Sequence, residues 1–257
     1  MATPQKLPKR PSLDAAHSDY DSFASVYSRW IGQDFAARVT PVVARLLAEH
    51  LRRGADVLDL CCGAGHVAAA LIADGYRLTC VDACAGMLAI AGQIAPQASF
   101  VLADARDFSL PQRFDAVIST FNSFAHVETN DLECVFRNVR RVLRDDGLFL
   151  FDLTMEEAYR ARWRGSFCSV GGDHTCVVRP AYDPEKKIAT NFVTAFERSG
   201  DDETWKRSDF QIVQNCHARE AVESALARAG FPDVQIKDAQ QDLGMSGEAG
   251  RQFFLCK

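Results

Sequence analysis

Val57-Leu58-Asp59-Leu60-Cys61-Cys62-Gly63-Ala64-Gly65-His66 is the stretch on which the reading of this chain turns. An apolar run ends in an acid, passes through a turn of small residues and opens into Val67-Ala68-Ala69-Ala70-Leu71-Ile72, which favours helix. That order describes a buried parallel strand feeding a helix N-terminus, the kind of junction at which open α/β folds bind ligands. Gly63 and Gly65 let the backbone turn sharply and leave no side chain between the main-chain N–H groups and a bound molecule.

Two ligand classes fit such a turn. Gly63-x-Gly65-x-x-Ala68, with Asp82 19 residues beyond Gly63, satisfies the loose dinucleotide pattern of nicotinamide and flavin cofactors. Asp59 separates the two classes, because a negative charge at the strand end opposes a pyrophosphate on the helix N-terminus. S-adenosylmethionine (SAM) carries an ammonium, a sulfonium and no phosphate, so Asp59 fits SAM and not NAD.

The 257 residues suffice for one good core with a small appended subdomain. A composition 47% hydrophobic and 25% charged is that of an ordinary soluble enzyme. No apolar run approaches a membrane span, and the N-terminus lacks the apolar core of a signal peptide. A net charge of −5 argues against a polyanion partner. Nine cysteines, odd in number and outside any C-x-x-C framework, point to reduced thiols in a cytoplasmic compartment.

Residues 1–12, with three prolines and three basic residues, read as a disordered leader. Residues 14–31 place Tyr20, Phe23, Val26, Tyr27 and Trp30 on one face of an amphipathic helix, and a second helix is predicted from Gln33 to about Leu51. Strands follow at Asp56 to Leu60, Arg77 to Val81, Ser99 to Leu102, Phe114 to Ser119 and Leu148 to Phe151, the last ending in Asp152. Before the fifth strand, Leu132, Val135, Phe136, Val139, Val142 and Leu143 share a helix face. Thr129-Asn130 is its expected N-cap, and Arg140, Arg141 and Arg144 sit at its negative end. After a helix over Met155 to Trp163 the period changes to two, with turn signals at Gly171-Gly172-Asp173, Tyr182-Asp183-Pro184 and Ser199-Gly200-Asp201. A helix from His217 to Ala229 and strands at Val234 to Lys237 and Gln252 to Cys256 complete the pattern.

The fold predicted is α/β and Rossmann-like: a mostly parallel sheet with helices on both faces, interrupted by an inserted antiparallel β subdomain. Residues 13–165 and 216–257 form the ligand-binding domain, and residues 166–215 a substrate lid at the carboxyl edge of the sheet. Cys168, Cys176 and Cys216-His217 stand on separate strands and are not read as a metal site.

Val57 to Gly65, Cys80-Val81-Asp82-Ala83, Leu102-Ala103-Asp104-Ala105 and Arg144-Asp145-Asp146-Gly147-Leu148-Phe149 resemble, in order, the successive motifs of class I SAM-dependent methyltransferases. Asn122-Ser123-Phe124-Ala125-His126, and the leading helix with Tyr20 followed by Gly32-Gln33-Asp34-Phe35, resemble the small-molecule N-methyltransferases, namely glycine N-methyltransferases and nucleotide-sugar N,N-dimethyltransferases. The resemblance implies that Asp59, Gly63 and Gly65 hold the methionine end of SAM. It implies that Asp82 takes both ribose hydroxyls, which a carboxylate can do with its two acceptor oxygens. Met87 is then expected to pack on the adenine, Asp104, followed by Ala105, to accept from its exocyclic amine, and Arg38 to pair with the SAM carboxylate. Cys61 departs from the family, standing where many members have a first glycine.

Methyl transfer is an in-line displacement at a sulfonium carbon, so alignment in a dry pocket does most of the work and no covalent enzyme nucleophile is needed. The aromatic faces of Tyr20 and Phe121 suit the sulfonium. An amine acceptor must arrive neutral or shed a proton, which makes His126, with Tyr20 opposite, the expected base or orienting group. The alternatives are O-methylation of a small molecule and a non-catalytic SAM-binding regulator. Thr120-Phe121-Asn122-Ser123 lacks the Pro-Pro pair of enzymes that methylate amino groups of DNA bases and glutamine, which disfavours a nucleic-acid substrate. Leu153-Thr154 after Asp152 offers no arginine for the carboxylate of glycine; Arg160, Arg162 and Arg164 are the nearest replacements. Oligomeric state and the acceptor itself are not legible in the chain.

Overall fold

The structure is a computed structural model that describes residues 24–198 and 204–257. The leader expected over residues 1–12, the turn signal at Ser199-Gly200-Asp201, and Tyr20 and Phe23 of the aromatic face lie outside the described residues. The chain enters through α1 (Ala24–Tyr27), a π-helical turn (Ser28–Gly32) and α2 (Gln33–Ala48). Where the sequence predicts two helices parted at Gly32, the backbone stays helical throughout. Gly32 keeps right-handed angles, and its missing Cβ leaves room for the Tyr27 ring, 3.3 Å from where that atom would stand.

The main sheet is built from β1 (Asp56–Leu60), β2 (Arg77–Asp82), β3 (Ser99–Leu102), β4 (Phe114–Ser119), β5 (Leu143–Thr154), β10 (Val234–Asp238) and β11 (Arg251–Cys256). Its order is β10-β11-β5-β4-β1-β2-β3, with β1 to β5 parallel to one another and β11 antiparallel to both its neighbours. Helices α3 (His66–Ala73), α4 (Ala85–Ile94), α5 (Leu132–Val142) and α7 (Arg219–Arg228) lie between the strands in sequence, and α6 (Glu156–Arg162) follows β5. Period-two alternation along β5 sends Phe149 and Phe151 into one core layer with Phe124, Phe136 and Phe254, and Leu148 and Leu150 into the other with Val39, Leu47 and Leu71. Both faces of the sheet are therefore covered, as parallel pairing requires.

A second sheet of four antiparallel strands runs in chain order through β6 (Phe167–Val170), β7 (His174–Asp183), β8 (Ile188–Arg198) and β9 (Trp205–Asn215). Its apolar face, Cys176, Val178, Val193 and Ile212, packs on Tyr27 and Ile31 of the leading helix.

Three local expectations are corrected. The fifth strand begins at Leu143 rather than Leu148, because Leu143 pairs with Phe114 across an irregular register, and it continues past Asp152 to Thr154. Arg144 therefore belongs to that strand, where it bridges Asp56 and Asp115 instead of compensating a helix dipole. Thr129-Asn130 forms a 3₁₀ turn (Thr129–Asp131) with no side-chain cap, and the Thr129 hydroxyl is taken by His217 Nδ1 at 2.9 Å. Among the described residues no helix is long and apolar enough to cross a membrane.

Candidate active site

The turn after β1 is shaped by main-chain bonds to the tip of β2. The Cys61 and Cys62 N–H groups donate to the Val81 carbonyl at 2.7 and 3.1 Å, and the Gly63 N–H donates to Asp82 Oδ2 at 2.8 Å. Cys61 takes a left-handed φ of 61°, so a residue with a Cβ is held where the family's glycine would be relaxed. The two glycines of the turn do different work. At Gly63, φ 54°, a Cβ would meet nothing within 4 Å, so this is where a ligand can approach the backbone. At Gly65, φ 77°, a Cβ would lie 3.0 Å from the Ala91 Cβ, so this glycine lets the start of α3 press against α4.

Asp59 is 1% exposed and its Oδ2 has no hydrogen-bond partner. Burial, and then the charge of Asp82, push its carboxyl up to about 8. An orphaned buried carboxyl beside an open glycine turn suits a ligand bearing a cation and no phosphate. Burial likewise pushes the Cys61 thiol well above its usual range, and Cys62 is raised by its contact with Cys80 and by burial, which favours the thiol over the thiolate at both.

Along the neighbouring strand tips, Asp82 Oδ1 accepts from the Cys84 N–H at 2.9 Å. Met87 is buried with Ala24, Ala64 and Cys84, which brings the leading helix onto α4 beside the turn. Asp104 is turned toward Arg106, which donates to it from Nε, Nη2 and the main chain at 2.9, 2.6 and 2.8 Å. That guanidinium holds the Asp104 carboxyl below its ordinary range. Ala105 packs in the core layer under α5.

The loop after β4 carries Phe121, Asn122 and the 3₁₀ turn Ser123–His126. His126 is exposed, and its Nδ1 lies 3.0 Å from the Val213 carbonyl of β9. A carbonyl only accepts, so Nδ1 carries the hydrogen and the lone pair of the neutral ring is on Nε2. Asn215 Nδ2 donates to the Ala125 and Val127 carbonyls at 3.0 Å each, and His217 Nε2 donates to Phe124 O at 3.0 Å. The last strand of the second sheet is thus bonded to the loop at successive points. The Phe121 ring stacks on Phe35 with centroids 3.8 Å apart and tilts against Tyr27 at 5.9 Å.

Sequence reasoning passed over the charged cluster behind this loop. Asp152, fully buried, accepts from the Phe121 and Asn122 N–H groups and from Arg251, which also donates through Nε to Glu248 at 2.8 Å. Arg38, expected to meet the cofactor carboxylate, donates to Glu248 Oε1 at 2.6 Å, and Arg162 donates to Oε2 at 3.0 Å. Burial alone would raise the Glu248 carboxyl, but these three arginines hold it at about 2. The one local signal was an aspartate inside the apolar run Leu148 to Leu153. Its partner Arg251 stands 99 positions away, beyond the reach of any spacing rule.

Residues 57–147 match the methyltransferase domain family. The chain is 32% identical over 241 residues to the putative methyltransferase YqeM of Bacillus subtilis (strain 168), covering 91% of this chain and 95% of that protein. It is 30% identical over 248 residues to a malonyl-acyl-carrier-protein O-methyltransferase of Geobacter sulfurreducens, covering 91% and 75%. It is 26% identical over 206 residues to the dTDP-3-amino-3,6-dideoxy-alpha-D-glucopyranose N,N-dimethyltransferase of Streptomyces fradiae, covering 78% of each. The crystal structure of a S-adenosylmethionine-dependent methyltransferase from Clostridium acetobutylicum shares the fold, with a TM-score of 0.77 at 19% identity, over 93% of this chain and 99% of that one. With a glycine turn that admits a ligand and an unpaired acid beneath it, the chain belongs to the SAM-dependent methyltransferases, and its cofactor is SAM.

Proposed function

We propose that this enzyme methylates an amine nitrogen of a small molecule. The observation that carries the reading is the placing of His126: its Nδ1 at the Val213 carbonyl anchors an exposed imidazole in the loop at the carboxyl edge of the sheet. An ammonium has no lone pair, so a nitrogen acceptor needs a group that removes or orients its proton, and imidazole is the side chain type suited to that task. Bound SAM supplies a methyl group on a sulfonium, activated for displacement.

For cofactor binding we assign Asp59 to the ammonium, Gly63 to close main-chain approach and Gly65 to the helix contact that shapes the turn. Asp82 is assigned to the ribose, with Met87 in the apolar wall beside it. Asp104 and Ala105 are assigned to the adenine end, where Asp104 would share its oxygens with Arg106. Phe121 borders the methyl side; the cation that its ring meets in this structure is Arg251, 5.9 Å from the centroid. Arg38, paired with Glu248, is left out of this set. Tyr20 is retained as the partner of His126 across the acceptor. The second sheet, bonded to the loop through β9, is assigned to acceptor selection as a fixed wall. Support for nitrogen comes also from the named activity of the Streptomyces fradiae relative.

Oxygen is the second reading, because the Geobacter sulfurreducens relative is named as an O-methyltransferase. A panel of free and nucleotide-linked amino sugars, glycine, the corresponding alcohols and malonyl thioesters, scored by S-adenosylhomocysteine formation, separates the two. Amine turnover is expected, and turnover confined to hydroxyl or carboxyl acceptors overturns the proposal. In His126→Ala, turnover of the amine should fall by a factor of about 10² to 10⁴ with SAM affinity retained. Wild-type turnover in that variant removes His126 from the chemistry.

A further inference from the structure

Phe121 and Asn122 stand in succession at φ 65° and 60°, a left-handed pair that asparagine tolerates and a bulky phenylalanine avoids. Strain of this kind persists only where the surroundings hold it. Here the holder is Asp152, whose Oδ1 accepts the Phe121 N–H at 2.6 Å and whose Oδ2 accepts the Asn122 N–H at 3.0 Å. Asn122 is pinned further: its Oδ1 accepts from the Thr154 N–H and its Nδ2 donates to the Tyr159 hydroxyl, both at 2.8 Å. Burial raises the Asp152 carboxyl, and a proton there would cost it one of its two acceptor oxygens; Arg251 is the largest influence opposing that rise. Arg251, the first residue of β11, donates to Asp152 Oδ2 through Nη1 and is itself steadied by Glu248. Its guanidinium also lies 5.0 Å from the Phe35 centroid, the ring on which Phe121 stacks.

We propose that Arg251 and Asp152 are positioning residues: Arg251 keeps Asp152 a two-oxygen acceptor, and Asp152 holds the left-handed pair from which the His126 turn departs. Neither needs to touch cofactor or substrate. The C-terminal strand thereby sets the direction of the loop that bears His126. The inference rests on reading that loop as the acceptor side of the site.

Amide hydrogen exchange on the full chain saturated with S-adenosylhomocysteine tests it without an acceptor. In the wild type the Phe121 and Asn122 amides should exchange as slowly as those of the neighbouring strands; fast exchange there overturns the proposal. Arg251→Gln should accelerate these two amides by about tenfold over strand amides, and Arg251→Lys, which keeps the charge, should restore most of the protection. Because Arg251→Gln leaves a buried charge unpaired and can unfold the chain, the double variant Asp152→Asn with Arg251→Gln is measured beside it. That neutral pair should also expose the two amides, with S-adenosylhomocysteine affinity by calorimetry within about threefold of wild type. Unchanged protection in the double variant, acceleration spread evenly over the chain, or Arg251→Lys behaving as Arg251→Gln does each overturn the proposal. So does a parallel loss of S-adenosylhomocysteine affinity, which would tie the network to the cofactor. Failure to bind S-adenosylhomocysteine in the wild type would instead overturn the cofactor site beneath the proposed function.

Discussion

Burial and the charge of Asp82 favour the protonated form of the Asp59 carboxyl, and if the cofactor ammonium meets it, as proposed, that proton should be released on binding. The carboxyl stands at about 8 in the fold and near 3.8 unfolded. Between those values the folded chain binds the proton that the unfolded chain has lost, so this residue's contribution to stability falls as pH rises from 3.8 toward 8. The size is on the order of a few kcal/mol. A ligand ammonium reverses the preference, so cofactor binding below pH 8 should expel a proton and tighten with rising pH. Calorimetry at pH 7 in buffers of different ionisation enthalpy should read about one proton released per S-adenosylmethionine bound. No release would mean that Asp59 does not meet the ammonium. Asp59→Asn should weaken cofactor affinity by about tenfold or more and abolish the pH slope between pH 6 and 8.

At the scale of elements, the turn joining β1 to α3 separates two roles that the bare pattern Gly63-x-Gly65 merges. Gly65→Ala meets both a left-handed φ and the Ala91 Cβ at 3.0 Å, so urea unfolding should show a loss of about 2 kcal/mol or more. Gly63→Ala meets only the left-handed φ, with open space around the new methyl, and should cost about 1 kcal/mol of stability. Its cofactor affinity should fall further than that of Gly65→Ala, since the methyl points where the ligand comes. Equal stability losses in the two variants would contradict this division. The turn itself was legible because a strand, two glycines and a helix follow without a gap. That Gly65 answers to α4 was not, since the contact exists only once α3 and α4 are packed. Leu143 shows the same limit: it completes an apolar helix face on paper, yet pairing with Phe114 takes it into β5.

At the scale of the molecule, the two sheets meet at the loop after β4. Val213, Asn215 and His217 bond to His126, Ala125, Val127 and Phe124, and Phe124 in turn packs edge-on against Phe149 and Phe151 of the main sheet. Asn215→Ala strips two carbonyls of a shared donor and should lower stability by about 1 to 3 kcal/mol in urea unfolding. Exchange of amides in residues 123–127 and in the end of β9 should rise together. A rise in the loop alone would mean that the second sheet moves independently of it. His217 adds a pH term of opposite sign to that of Asp59. Burial holds its imidazole below 6.5, so the unfolded chain binds the extra proton, and this contribution to stability is lost as pH falls through the ordinary histidine range.

The primary sequence determined the parallel sheet, the antiparallel second sheet and the choice of SAM as cofactor. Each of these is written in short-range periodicity, or in one acid placed a few residues before a glycine, and survives without knowledge of the neighbours. Only the folded chain could decide that Arg38 faces Glu248, that His126 meets the Val213 carbonyl through Nδ1, and that Asp152 and Arg251 meet behind the loop. Buried charges find partners wherever the sheet order brings strands together, and β11 reaches β5 only because the chain returns to pair antiparallel beside it.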